Sequence, residues 1–111
     1  MTNIDDKLAK LAKEAGEKAY APYSNFRVGA ALVTESGNIY TGCNIENAAY
    51  PATVCGEDVA VFKAISEGET KIDTIAVACI DAKSDTALFP CGVSRQRLSE
   101  FNTESVIVVD K

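Results

Sequence analysis

Cys55 and Cys91 occupy matching places in the sequence: each follows a loop, precedes a glycine and opens a helical pattern. Unpaired backbone N–H groups and the helix dipole favour a thiolate at such a position. Glu57 stands two residues into the helix that Cys55 opens, and Asp58 one turn on from the same cysteine. In FPCGVSRQ, residues 89–96, a P-C-x-x-C pair would place its second sulfur at position 94, where this chain carries Ser94. Positions 91, 94, 98 and 101 share one helical face, so Ser94 is expected to point where a ligand would sit.

The chain contains no histidine. The commonest general base and the commonest zinc-binding nitrogen are therefore missing. Proton transfer would fall to a carboxylate, Lys, Tyr or Cys, and a transition-metal site would be built from sulfur and oxygen. Each candidate also has a plainer reading. Cysteine often acts as a small buried hydrophobe, and Cys43 and Cys79, both inside apolar strands, are read that way. A carboxylate in a first helical turn commonly serves the dipole.

The elements that would carry these residues are readable from periodicity. Leu8, Leu11, Ala12 and Ala15 form one apolar stripe, which predicts a helix from about Ile4 to Tyr20, capped by Thr2 or Asn3 and stopped by Pro22. FRVGAALVT and NIYTGCN read as a hairpin closed at Gly37, with small residues at Gly29, Ala30 and Ala31 that let another element approach. IENAAYPAT is a loop. Residues 55–67 read as a helix with Val59, Phe62 and Ile65 facing inward and Gly68 as its stop. IDTIAVACI is a buried strand, residues 91–101 a third helix and ESVIVVD a last strand. The order αββαβαβ predicts helices on a mixed sheet, with strands joined across helices running parallel.

With 111 residues and 47% apolar side chains, the chain fits one domain spanning residues 1–111. A net charge of −5 argues against long nucleic acid as a partner. No apolar run approaches the ~18 residues of a membrane span, and the charged N-terminus lacks a signal-peptide pattern, so a cytoplasmic protein is expected.

AYAPYSNFRVGAALVTESGNIYTGCNIENAAYPATVCGED, together with FPCGVSRQ, resembles the cytidine deaminases of the small, homotetrameric type. The similarity covers nearly the whole chain. Four motifs carry it, in the family's order and spacing: Y-S-x-F-x-V-G-A-A-L, G-C-N-I-E-N, T-V-C-x-E and P-C-G-x-x-R-Q. It implies a three-layer α/β/α sandwich with a mixed sheet, and a homotetramer. It also implies a Zn²⁺ site in which activated water attacks C4 of cytosine, with Glu57 shuttling the protons. By the same resemblance, Cys55 and Cys91 match zinc ligands, Asn44 and Glu46 match the pair that holds ribose hydroxyls, and Phe26 matches an aromatic packed on the base. The implied function is deamination of cytidine and deoxycytidine in pyrimidine salvage. The alternatives are a non-catalytic nucleoside-binding or assembly protein on the same fold, or a deaminase of another aminopyrimidine such as blasticidin S.

Two positions depart from the family pattern. Position 94 is Ser rather than Cys, and position 58 is Asp rather than the usual Arg. Three thiolates on Zn²⁺ sum to −1, a charge the arginine offsets. Two thiolates sum to zero, so the arginine is not needed, and the Asp58 carboxylate becomes a candidate third ligand beside Ser94. Relatives also continue past the strand that ends near Asp110, with a tail that helps close a neighbouring subunit's site.

Overall fold

Why residues 28–34 should be apolar almost without interruption is explained by what covers them. In the computed structural model, which describes residues 3–81, 100, 103 and 105–109, they form β1 (Val28–Thr34). Its Ala30 and Leu32 face one helix and its Ala31 and Val33 the other, and a strand covered on both faces has no polar alternation. The helices are α1 (Asn3–Gly16) and α2 (Gly56–Ser66); the other strands are β2 (Ile39–Cys43), β3 (Ile72–Cys79) and β4 (Ser105–Val109). A 3₁₀ turn spans Tyr50–Ala52 in the loop before α2.

The described strands form a mixed sheet in the order β2-β1-β3-β4. β1 is antiparallel to both β2 and β3, and β3 is parallel to β4. β2 and β3, which α2 connects, therefore run in the same direction with β1 between them. α1 packs Leu8 and Ala12 on Ala31, Val33, Ala76 and Ala78. On the opposite face α2 packs Ala60, Val61 and Ala64 on Ala30, Leu32, Ile75 and Val77. The result is the α/β/α sandwich that the sequence resemblance implies. A register shift beside Val33 and Thr34 skips Asp73, which lets Ile72 join Ile75 on the α2 side.

Two expectations need correction. The first helix ends at Gly16, not near Tyr20, and Pro22 is not its terminator. Residues 17–19 close tight turns onto residues 14–16, and the Tyr20 N–H leaves the helical path to donate to Asn44 O at 3.0 Å. The inward face of α2 is also one position off from that read in the sequence. Glu57, Ala60, Val61 and Ala64 are buried and Phe62 is 47% exposed; Val59 is half-buried, and Ile65, also half-buried, does pack against the core as expected. Of the expected third helix only Glu100 is described, and it is helical; Cys91 and Ser94 lie outside the described residues, as does Thr2. Among the described residues, no helix is long and apolar enough to cross a membrane.

Candidate active site

The first turn of α2 is seated backbone to backbone on the sheet. A β-carbon on Gly42, near the end of β2, would come within 2.5 Å of Ala60 N and 2.6 Å of Gly56 O. One on Gly56 would meet Val28 O at 3.0 Å. Two glycines thus bring the helix start down to the place where β1 begins and β2 ends. Cys55 is the N-cap, with extended backbone (φ −74°, ψ 155°), and its side chain makes no capping bond. Glu57 and Asp58 follow in the first turn and are each 3% exposed.

Glu57 shares its surroundings with the far end of β3. Cys79 lies directly across the ladder from Val28 and is 6% exposed, with Phe26 and Val28 packed against it. Its thiol is pushed above the ordinary value, first by burial and then by the negative charge of Glu57. Phe26 and Val28 thus pack on a buried thiol that feels the charge of Glu57.

Asn44 and Glu46 leave the chain on the same side, because Ile45 between them is bridged to both Tyr20 and Val54. Asn44 Nδ2 donates to Phe26 O and its Oδ1 accepts from Val28 N, both at 2.9 Å. An amide has a second N–H and a second lone pair beyond those two bonds. Glu46 Oε1 accepts from the N–H groups of Tyr23 and Ser24 at 3.0 and 3.1 Å, and its Oε2 from the Ser24 hydroxyl. These bonds, the Ser24 hydroxyl foremost, hold the Glu46 carboxyl below its ordinary range.

A metal would find part of a donor set here: Cys55 offers a half-buried sulfur at a helix start, and Asp58 a buried carboxylate one turn on. Sulfur and carboxylate oxygen are both zinc donors, so the residues fit the group. Among the described residues, no three Cys, Asp or Glu side chains come together around one point.

Three features of this region were not read from the sequence. Cys79 is buried, as expected, but within reach of the charge of Glu57. Ser24 lies within a motif yet had no role. Arg27 donates to Asp81 through Nε and an Nη at 2.9 Å each, and its N–H donates to the same carboxylate at 2.8 Å, which ties the approach to β1 to the chain leaving β3. The β1–β3 register brings Arg27 and Val28 to Asp81 and Cys79, and no local pattern signals it.

Comparison with known proteins agrees with this geometry. The sequence model for the cytidine and deoxycytidylate deaminase zinc-binding region matches residues 2–110. A cytidine deaminase of Sporosarcina psychrophila is 48% identical over 103 residues, covering 93% of this chain and 74% of that protein. The crystal structure of cytidine deaminase from Mycobacterium tuberculosis superposes with a TM-score of 0.83 at 34% identity, over 96% of this chain and 85% of that one. That from Burkholderia pseudomallei does so with a TM-score of 0.80 at 45% identity, over 91% and 77%. A buried carboxylate two residues past a helix-capping cysteine, on a sandwich that superposes this closely, places the chain in the cytidine and deoxycytidylate deaminase family.

Proposed function

We propose that this chain catalyses the hydrolytic deamination of cytidine and deoxycytidine, giving uridine or deoxyuridine and ammonia, in pyrimidine salvage. The observation that carries the reading is the burial of Glu57 in the first turn of α2, two residues past Cys55 and near enough to Cys79 for its charge to be felt there. Cys55 and Cys91, with Asp58 or Ser94 as the third donor, would hold zinc, which would supply Lewis acidity that lowers the pKa of water.

The chain's own residues do the rest. Glu57 accepts a proton from the attacking water, passes it to ring N3, and later delivers a proton to the departing amine. A buried acid can serve in both directions because the same site excludes bulk water. Phe26 packs on the base, and Asn44 and Glu46 receive the sugar hydroxyls. A homotetramer in the cytoplasm, acting on a small nucleoside and not on long nucleic acid, is the assembly that goes with this chemistry.

The test is loss of cytidine absorbance, or ammonia release, with and without added zinc. Wild-type turnover that Glu57→Gln reduces by about 10³-fold, within the range of general acid–base catalysis, supports the reading. Saturable nucleoside binding with no turnover in zinc-loaded protein overturns it. Zinc content should fall in Cys55→Ala; equal and negligible zinc in both proteins removes the metal from the proposal.

A further inference from the structure

The backbone that presents Phe26 is held by side chains. Three successive N–H groups, of Phe26, Arg27 and Val28, donate to Ser24 Oγ at 3.0 Å, Asp81 Oδ2 at 2.8 Å and Asn44 Oδ1 at 2.9 Å. Asn25 sits in the left-handed region with φ +56°. The Ser24 side chain spans that residue. Its oxygen accepts from the Phe26 N–H, and its single proton goes to Glu46 Oε2.

We propose that Ser24 is a positioning residue of the nucleoside site, its one hydroxyl tying the carboxylate at the sugar end to the backbone of the aromatic at the base end. The inference rests on the deaminase reading above. Removing the hydroxyl takes one of three donors from Glu46 and leaves the Phe26 N–H without its acceptor. Glu57 is unaffected, because the packing of Gly42 and Gly56 seats its helix turn independently. The loss therefore falls on substrate binding and not on the chemical step.

The experiment compares wild type, Ser24→Ala and Ser24→Thr as full-length, zinc-loaded protein, with cytidine and with 2′,3′-dideoxycytidine, and records each melting temperature. Ser24→Ala should raise KM for cytidine about tenfold, in keeping with loss of a hydrogen bond to a charged group, with kcat within about twofold of wild type. Ser24→Thr, which keeps the hydroxyl, should restore KM. The dideoxy substrate, which offers Glu46 no sugar hydroxyl, should be weakened less by Ser24→Ala. A merely structural role would lower the melting temperature and leave KM in place, and that result overturns the inference. So does a fall in kcat at constant KM, or failure of Thr to restore KM. Wild type that neither turns over cytidine nor binds it by calorimetry defeats the deaminase reading and this inference with it. Active wild type with a kinetically silent Ser24→Ala defeats this inference alone.

Discussion

The β-carbon that Gly29 lacks would stand 1.9 Å from the carbonyl oxygen of Ala12 and 2.3 Å from Gly16 N. α1 and β1 therefore touch through their main chains, which cannot yield as a flexible side chain can. Gly29→Ala should cost about 3 kcal/mol or more, seen as a fall in urea midpoint or as failure to recover folded protein. Gly37→Ala tests the other kind of cost. At Gly37 nothing lies within 4 Å of the added carbon, but φ is +94°, so the penalty should be only about 1–2 kcal/mol of backbone strain.

Gly42→Ala should harm catalysis more than its stability cost suggests. The new methyl group would press on Ala60 N and Gly56 O and lift the first turn of α2 away from the strands. Cys55 and Glu57 ride on that turn. Turnover measured at a temperature where circular dichroism still reports a fully folded chain should drop at least about tenfold, since small misplacements of a catalytic group are costly.

The fold was legible wherever one local signal sufficed. The 3.6-residue stripe Leu8, Leu11, Ala12, Ala15 gave α1, the uninterrupted apolar run gave β1, and Gly37 and Gly68 marked a turn and a helix stop, both with positive φ. It failed where a distant partner decides. Phe62 is the largest apolar residue of α2, yet it is exposed while Ala60, Val61 and Ala64 are buried, because the close seat of the helix on Gly42 and the sheet decides which side faces inward. The end of α1 is set by the Tyr20 to Asn44 bond, which sequence spacing does not display. The site divides in the same way. Cys55 and Glu57 stand out by their place in one helical turn, whereas the hold that Asn44 and Glu46 take on residues 23–28 depends on contacts across the fold.

Glu69 should make stability depend on pH at the end of β1, away from the site. Asn38 Nδ2 donates to Glu69 Oε2 at 2.8 Å and the Ser36 hydroxyl lies 2.8 Å from the same oxygen, and these bonds hold its carboxyl below the ordinary 4.5. A carboxyl whose folded value is depressed stabilises the fold above the unfolded value and loses that contribution as pH falls through the folded value. Glu69→Gln should therefore lower the urea midpoint at neutral pH, and the gap from wild type should narrow as the pH drops below 4.5.

Ser94→Cys should tighten zinc binding, because a thiolate is a far better donor than a protonated hydroxyl. By the family resemblance it would also restore the negative charge that a cation at position 58 usually offsets, a position that here carries Asp58. The double change Ser94→Cys with Asp58→Arg should then hold zinc against a competing chelator better than Ser94→Cys alone. Equal zinc retention in wild type and both variants would show that position 94 is not a ligand.

The strand order β2-β1-β3-β4 sets a hazard during synthesis. β1 finds β2 at once through a short hairpin, but its other edge waits unpaired until α2 and β3 have left the ribosome, an open template for a neighbouring nascent chain. The first helix precedes β1 in the chain, and in the finished fold it covers one apolar side of that strand with Leu8 and Ala12, leaving the edge and not that face as the exposed risk.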